Sequence, residues 1–273
     1  MIGALRYEYV RLRTLRSTYW LIGIAMTFQL VMSVIIAAVV SASDSTAGAT
    51  DDVFDVLATI GASAGFAPLF IAFIIGLLGV FSTGHEYRHG MIRATLTAIP
   101  DRTHVFVAKV VATTIVSGLA ALLCILIALL CLLVFGLELP TIGGFLDMTA
   151  GTMIFTILFS LSGLAYGALT RNQTAAVALL LLVPTVIEAI IRAIVIAIKG
   201  FSDDPSEQGG FVQILKFLPY DAGGKLYTRA SIDDLLSFLG YTPFGPVGGG
   251  IVMGVFVAAL LGGAYALFLR RDA

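Results

Sequence analysis

The segment of residues 85–93 holds the side chains in this sequence that most readily do chemistry. Its first five residues read His-Glu-Tyr-Arg-His, which satisfies the H-E-x-x-H pattern of zinc metalloproteases. On a helix, His85 and His89 would share one face and could hold a zinc ion. Glu86 would then be the general base that activates a zinc-bound water. One hypothesis is therefore a zinc intramembrane protease.

Three features of the sequence disfavour zinc at this segment. A catalytic zinc site needs a third protein ligand, and the one further histidine, His104, lies in the same predicted loop. Ile92 stands where the extended metzincin motif requires glycine. Gly90 tends to end the helix that would have to support the two histidines. An intramembrane acid such as Asp147 or Glu188 could still supply the third ligand, so this hypothesis stays open.

A second set of ionisable residues lies within a long apolar stretch. Glu188 and Arg192 are four residues apart, one turn after Pro184. Charged groups inside a bilayer are costly, and they normally pair or face an aqueous cavity. One interpretation is an i,i+4 ion pair that neutralises both charges. The other is a polar patch on a translocation pathway or at a subunit interface, as an ion-coupled secondary transporter would also use.

Long apolar stretches must position both sets of residues. The mean hydropathy of the 273-residue chain is +1.01, with 59% hydrophobic and 12% charged residues. Soluble domains carry about 25% charged residues, and a membrane-spanning helix needs about 20 apolar residues. We therefore expect an all-α membrane protein, a single domain over residues 1–273 with no separate soluble domain. The sequence predicts six transmembrane helices, at about residues 19–40, 67–83, 105–135, 148–169, 174–198 and 248–269.

The distribution of charge predicts the orientation of these spans. Because each predicted span crosses the membrane, successive connecting segments lie on alternate sides. Most of the Lys and Arg residues fall in the segments on one side, and the segments on the other side are acidic. Because cytoplasmic loops carry the excess of Lys and Arg, we expect both termini to be cytoplasmic. The basic segments are residues 1–18, 84–104, 170–173 and 270–273, and the acidic ones are residues 41–64 and 199–247.

The first 18 residues predict an amphipathic interfacial helix. Leu5, Tyr9, Leu12 and Leu15 recur at helical spacing, with arginines on the remaining faces. Such a helix would lie on the inner leaflet with its arginines near anionic lipid. The alternative is a basic anchor without fixed structure.

The two long outer segments differ in composition. Residues 41–64 are small, polar and acidic, so we expect a solvated, mobile loop. Residues 199–247 form an extracellular region in which residues 211–218 are amphipathic, and Pro219 breaks that pattern. Residues 230–239 are a second candidate for a short helix. We therefore expect one or two short extracellular helices before the last span.

Small residues at four-residue spacing predict close contacts between helices. Gly163 pairs with Gly167, and Gly250 pairs with Gly254. Such pairs let the backbones of two membrane helices approach closely.

The cytoplasmic segment of residues 84–104 also fits a function that is not catalytic. It resembles the cytoplasmic loop of ABC-2 type permeases, the membrane subunits of ATP-driven exporters. That loop runs E-x-R-x-G-T, a short amphipathic helix, a Pro–Arg turn, and a Lys at the start of the next span. Met91 stands in place of the usual Thr. The N-terminal helix, the six spans and the Leu218-Pro219 turn extend the resemblance over the chain. The matching residues are Glu86-Tyr87-Arg88-His89-Gly90-Met91-Ile92-Arg93-Ala94-Thr95-Leu96, then Pro100-Asp101-Arg102 and Lys109.

The resemblance implies a multi-pass permease subunit of the bacterial cytoplasmic membrane that catalyses nothing itself. It would work with a second permease copy, identical or not, and with a separate ABC ATPase in whose groove the loop would seat. Ile92, Leu96 and Ile99 would be apolar anchors of that contact, and arginines would steer it. The alternative is an ordinary basic loop with a solvated face. The expected coupling residues are Glu86, Arg88, Gly90, Ile92, Arg93, Leu96, Pro100 and Arg102, of which Glu86 and Arg88 could also pair with neighbouring spans.

The chain has no nucleotide-binding motif of its own. The Gly224-Lys225 pair has Pro219 in place of the first glycine of a G-x-x-x-x-G-K-[ST] motif and Leu226 in place of Ser or Thr. ATP and Mg²⁺ would therefore be bound by the partner ATPase, and we expect no cofactor, metal or nucleic acid on this chain. Three hypotheses remain: a permease that exports an amphipathic substrate, an ion-coupled secondary transporter, and the zinc protease.

Overall fold

The computed structural model describes residues 1–42, 50–59, 69–88, 90–99, 101–200, 212–227 and 241–270. These residues form helices and connecting turns, and no strand occurs among them. The helices are α1 (Ile2–Thr14), α2 (Arg16–Ala42), α3 (Thr50–Thr59), α4 (Leu69–Arg88), α5 (Met91–Ala98), α6 (Arg102–Val134), α7 (Ile142–Thr170), α8 (Gln173–Leu182), α9 (Glu188–Gly200), α10 (Pro219–Gly224) and α11 (Pro246–Arg270). A π-helical turn, Val183–Ile187, joins α8 to α9, and a 3₁₀ helix, Gln213–Phe217, precedes α10.

Within this part of the chain, five helical segments are long and apolar enough to cross a membrane. They are α2, α6, α7, α11 and the continuous α8–α9 segment. The chain is thus a multi-pass, all-α membrane protein, which confirms the predicted class. The span predicted at residues 67–83 falls on α4, whose residues Leu69–Phe81 are apolar, while residues 67 and 68 lie outside the described ranges. The number of six spans and their orientation stay predictions.

Helix α7 is the centre of the bundle, and α4 packs against it along a line of small residues. A methyl group added to Gly79 would collide with the carbonyl oxygen of Ser160, so the two backbones are in direct contact. Gly163 and Gly167 of α7 face α4 in the same way, with Gly167 against Thr83. The predicted close contact at Gly163 and Gly167 is therefore confirmed.

The second small-residue pair behaves differently. Gly250 lies close to the side chain of Leu226, whereas nothing lies within 4 Å of a methyl group added to Gly254. The pair does not form one helix–helix contact.

Helix α3 corrects the prediction of a solvated loop at residues 41–64. Phe54 and Leu57 of α3 are fully buried among α2, α6 and α7. The side-chain amide of Gln29 donates to the carbonyl oxygen of Leu57 over 2.9 Å, which satisfies a helix end inside the protein. Val53, Phe54, Leu57 and Ala58 form an apolar helical face, and that face outweighs the acidic composition of the segment. Residues 43–49 and 60–64 of the predicted loop lie outside the described ranges.

Helix α1 forms where it was predicted, but its buried face is a different one. Ala4, Glu8 and Arg11 point into the bundle, whereas Tyr9 is 63% exposed. Tyr9 thus turns away from the protein and Leu5, Leu12 and Leu15 are half-buried, while Glu8 and Arg11 turn toward α4 and α6. The expected position of the arginines near lipid does not apply to Arg11.

The segment before the last span enters the bundle. Pro219 occupies the first turn of α10, where a missing backbone N–H costs nothing. Tyr220 is buried between α7 and α11. Within the predicted helix at residues 211–218, the structure has the short 3₁₀ helix Gln213–Phe217. The second predicted helix, at residues 230–239, lies outside the described ranges.

Candidate functional site

Four charged side chains are buried where α1, α4 and α6 meet, and we call them the buried quartet. Glu8 and Arg11 come from α1, Glu86 from α4 and Lys109 from α6. Their exposed fractions are 1%, 8%, 2% and 1%. Two cations balance two carboxylates, so the quartet carries no net charge. We call this end of the bundle, which also carries α5, the inner end.

The quartet is held by direct ion pairs across all three helices. The Nζ atom of Lys109 lies 2.8 Å from Oε1 of Glu8 and 2.6 Å from Oε1 of Glu86. The Nη1 atom of Arg11 lies 2.9 Å from the same Glu86 oxygen, and Nη2 lies 2.9 Å from Oε2 of Glu8. Each cation therefore bridges both carboxylates.

Ser82 completes the cluster one turn before Glu86. Its carbonyl oxygen accepts from both Arg11 and Lys109, and its hydroxyl accepts from Nη2 of Arg11 over 3.0 Å. Removing one member of a buried ion pair leaves an uncompensated charge and costs about 3–5 kcal/mol. The quartet consequently allows little sliding or rotation of α1 relative to α4 and α6.

A tight turn follows α4 directly and starts α5. Gly90 has a φ of 65°, in the left-handed region that glycine adopts without strain. The chain therefore reverses four residues after Glu86, and α5 is a short helix separate from the long spans. His89 lies outside the described residues.

Helix α5 is fixed to the bundle at two points. Ile92 is 6% exposed and packs with Val105, Phe106 and Phe268. Thr95 shares a hydrogen bond of 3.0 Å with the hydroxyl of Tyr7 on α1. Burial raises the pKa of the Tyr7 phenol above its ordinary value of 10.0, so the hydroxyl keeps its proton at neutral pH.

The position of Ile92 corrects its predicted role as an anchor for a partner protein. Its side chain is already buried in this chain, and Ile99 packs partly into the same cluster. The face of α5 that is available instead carries Met91, Ala94 and Ala98. Met91 is 49% exposed, and the two alanines let another backbone approach closely.

The predicted coupling arginines have different surroundings. Arg88, the last residue of α4, is exposed. Arg102 donates to the carbonyl oxygens of Phe268 and Leu269, at 3.4 and 3.0 Å, and so caps the carboxyl end of α11. Arg102 thus connects α6 to α11, which is a structural contact within the chain and not only a steering charge. The side chains of Arg93 and Leu96, and residue Pro100, lie outside the described part of the chain.

The metalloprotease residues are arranged for other contacts. Glu86 is engaged by Arg11 and Lys109, so it is not placed to activate a water molecule. His85 packs edge-on against Phe81, with ring centroids 4.7 Å apart. His104 pairs with Asp101 over 2.8 Å. Within the described residues no three His, Cys, Asp or Glu side chains converge as a metal site would require.

Glu188 and Arg192 form a second polar cluster at the opposite, outer end of the bundle. They do not pair with each other, so the i,i+4 interpretation is wrong. The carboxylate of Glu188 is buried and accepts from the backbone N–H groups of Tyr220 and Asp221, over 2.8 and 2.9 Å. The Nη2 atom of Arg192 lies 2.6 Å from Oδ1 of Asp221. Both side chains thus reach from α9 to the amino end of α10, whose first backbone N–H groups need acceptors.

The quartet as a unit did not follow from the sequence pattern. The motif resemblance identifies Glu86 and Lys109, but it contains none of Glu8, Arg11 and Ser82. The available signal was the i,i+3 spacing of Glu8 and Arg11, since two opposite charges on one face can be buried together. For the outer cluster, Pro219 marks a helix start whose free N–H groups need an acceptor.

Comparison of the sequence with protein-family models and with curated proteins gave no match.

Proposed function

We propose that this chain is the membrane-spanning subunit of an ATP-driven exporter of the ABC-2 permease type. It would have six spans with both termini in the cytoplasm, as a multi-pass protein of a bacterial cytoplasmic membrane. ATP and Mg²⁺ would be bound by a separate ABC ATPase, and a second permease copy would complete the assembly. The exported compound would be amphipathic. The motif resemblance within residues 84–109 and the geometry of α5 support this proposal.

The observation that carries the proposal is the attachment of α5. A short helix outside the spans presents Met91, Ala94 and Ala98 to solvent, while Ile92 and Thr95 hold it to the bundle. A helix that is exposed on one face and fixed on the other can receive a force from a partner and pass it inward.

The buried quartet gives that force a path into the spans. Helix α5 is joined to α4 through the Gly90 turn and to α1 through Tyr7 and Thr95. Both α1 and α4 contribute to the quartet, and Lys109 extends it into α6. A displacement of α5 would therefore move three helices together, because sliding one past another would separate buried charges.

Charge on the inner end supports the cytoplasmic orientation. Arg6, Arg13, Arg16 and Arg88 are exposed there, whereas Glu8 and Glu86 are buried and neutralised. An exposed excess of arginine is typical of the cytoplasmic face. The same exposed arginines could attract anionic lipid headgroups along α1 and acidic residues of the ATPase beside α5.

The proposal is tested at Ala94, in the middle of the exposed face of α5. Ala94→Glu places a charge where the ATPase would sit, and Ala94→Ser is the matched control at the same position. We expect Ala94→Glu to lower the recovery of an ATPase with the tagged chain at least about tenfold, since a buried unpaired charge costs more than 1.4 kcal/mol. Membrane insertion and thermal stability should not change, because Ala94 is exposed.

Purification in mild detergent followed by mass spectrometry provides the measurement. The expected partner contains a Walker A motif, and it is recovered with the parent chain and with Ala94→Ser. A parent chain that is purified alone and still transports in vesicles under an ion gradient would contradict the proposal and favour the secondary transporter. Stoichiometric zinc in the same sample, lost in His85→Ala, would favour the protease.

A further inference from the structure

The span formed by α8 and α9 is interrupted at Val183–Ile187. This π-helical turn contains Pro184, which has no backbone N–H to donate to the preceding turn. Wide turns of this kind, and proline within a helix, are sites where helices kink and bend. The span is thus two rigid halves joined by a weak segment.

The two halves are attached to the bundle in different ways. Helix α8 packs directly against α4 and α7. Helix α9 packs Ile191, Val195 and Ile196 against a small outer cluster. Leu215 of the 3₁₀ helix and Val212, directly before that helix, belong to this cluster. Its opposite face is apolar and exposed, with Ile190, Ile194 and Ile198. The position of α9 therefore depends on the 3₁₀ helix and α10.

Helix α10, in turn, is anchored to the centre of the bundle. The hydroxyl of Tyr220 donates to Oγ of Ser162 over 2.9 Å and lies 3.1 Å from the hydroxyl of Tyr166. Gly249 of α11 lies against the carbonyl oxygen of Ala222 so closely that a methyl group would collide there. Because α10 is fixed to α7 and α11, it is a stationary support for α9.

Glu188 is the connection between the hinge and this support. It is the first residue of α9, directly after the π turn, and its two oxygens accept from the Tyr220 and Asp221 N–H groups. Arg192, one turn later, adds the ion pair to Asp221. These contacts lie in the first turns of α9, next to the π turn. A small rotation of α9 about the π turn would move these turns little and the far end of the helix most.

We propose that α9 is a hinged half-span, with Val183–Ile187 as the hinge and Glu188 as the positioning residue that latches it to α10. With the latch intact, α9 is held against the 3₁₀ helix and α10. When the latch opens, α9 swings away from α10 and separates the outer end of this span from the rest of the bundle. This inference requires only the contacts described above and does not depend on the ATPase partner.

The test measures distances in the purified full chain, reconstituted in lipid nanodiscs. Spin labels are placed at Ile194→Cys on α9 and Ile142→Cys on α7, both exposed positions, after replacement of the buried Cys124 and Cys131 by alanine. A reference pair at Ile142→Cys and Val247→Cys reports on the body of the bundle. Glu188→Ala should broaden the α9 distribution and add a longer distance, while the reference pair stays unchanged.

Hydrogen exchange gives a second, independent readout of the latch. In Glu188→Ala the amides of Tyr220 and Asp221 lose their hydrogen-bond acceptor, so their exchange should become at least about tenfold faster. Ile190→Ala is the matched control, because Ile190 lies on the exposed face of α9, outside the hinge and away from the Glu188 contacts. It should leave both readouts as in the parent chain.

The hinge is tested by adding Pro184→Ala to Glu188→Ala. Alanine allows the α-helical pattern to continue, so the double variant should show a narrower α9 distribution than Glu188→Ala alone. If Glu188→Ala does not insert, Glu188→Gln keeps one acceptor oxygen and should give the same changes at smaller amplitude. An unchanged α9 distance and unchanged exchange in the variant that inserts would overturn the proposal. Equal broadening of both label pairs would overturn it as well, because it would mean general loosening.

Discussion

Charged side chains are buried at both ends of this bundle, but the two ends neutralise them differently. At the inner end, Lys109 and Arg11 balance two carboxylates, and side chains from three helices contact each other directly. At the outer end, Arg192 pairs with Asp221, and the two carboxyl oxygens of Glu188 accept from backbone N–H groups of α10.

The difference predicts different mechanical behaviour. A closed set of side-chain ion pairs fixes the distance and rotation of every helix that contributes to it, since any displacement exposes a charge in a medium of low polarity. A carboxylate on a helix amino end is bound by two neutral donors and a partial charge, which is weaker and easier to release. The inner end is therefore suited to transmitting motion, and the outer end is suited to opening.

The largest effect that we predict is at Lys109. Lys109→Met leaves Glu8 and Glu86 buried with Arg11 as their one cation, and the unfolding free energy should fall by about 3–5 kcal/mol. Denaturant titration of the purified chain in detergent measures this change. Lys216→Met is the control, because Lys216 lies over the Phe244 ring at the outer end and should cost about 0.5–1 kcal/mol.

A loss below about 1 kcal/mol in Lys109→Met would mean that the quartet does not constrain the inner end. A second measurement sharpens the result. Glu86→Gln combined with Lys109→Met removes one charge of each sign, so it should be less destabilising than the sum of the two single changes by about 0.5–3 kcal/mol.

Glycine substitutions test the same contrast through packing. Gly79→Ala drives a methyl group into the Ser160 carbonyl oxygen, a backbone atom that cannot move aside, and should cost about 1–3 kcal/mol. Gly223→Ala of α10 meets the flexible side chain of Met253 and should cost less. Gly254→Ala, which meets no atom within 4 Å, is the control and should be neutral or slightly stabilising. Equal losses at Gly79 and Gly223 would mean that α10 is packed against the last helix as rigidly as α4 is packed against α7.

Tyrosine hydroxyls give the next smaller effects. Tyr220→Phe removes a buried hydroxyl that bonds Ser162 and Tyr166, and we expect a loss of about 1–3 kcal/mol in the same titration. Tyr7→Phe removes a half-buried hydroxyl with one partner, Thr95, and should cost about 0.5–1.5 kcal/mol. If Tyr7→Phe lowered the unfolding free energy more than Tyr220→Phe, the Tyr220 hydroxyl would not be the anchor of α10.

The sequence predicts the features of this fold whose surroundings are clear from the residues, and it fails where a helix face could meet lipid, water or protein. The long helices followed from apolar length, because lipid leaves the backbone no other way to satisfy its hydrogen bonds. The contact at Gly163 and Gly167 followed from small-residue spacing. The acidic composition of residues 41–64 concealed α3, since Phe54 and Leu57 form an apolar face that composition averages away.

Helix faces were harder to assign, for a physical reason. In water an amphipathic helix buries its apolar face, but beside a membrane the apolar face can meet lipid and the polar face can turn inward. Helix α1 takes part of this second arrangement, with Glu8 and Arg11 inside, Tyr9 outside, and its leucines half-buried between them. Ile92 was ambiguous in the same way, because an apolar residue on α5 fits a partner groove or the chain's own core equally well. Spacing alone does not show which surface each face meets.

The smallest effect that we predict is at Arg192, and it separates the two parts of the outer latch. The side chains of Arg192 and Asp221 are 18% and 21% exposed, so water screens their ion pair. Arg192→Ala should therefore lower the unfolding free energy by no more than about 1 kcal/mol, as partly exposed pairs do. Its distance distribution for α9 should stay close to that of the parent chain, because Glu188 still holds the Tyr220 and Asp221 N–H groups. If Arg192→Ala released α9 as fully as Glu188→Ala, the ion pair would be the latch, and the outer end would resemble the inner end in depending on a side-chain charge pair.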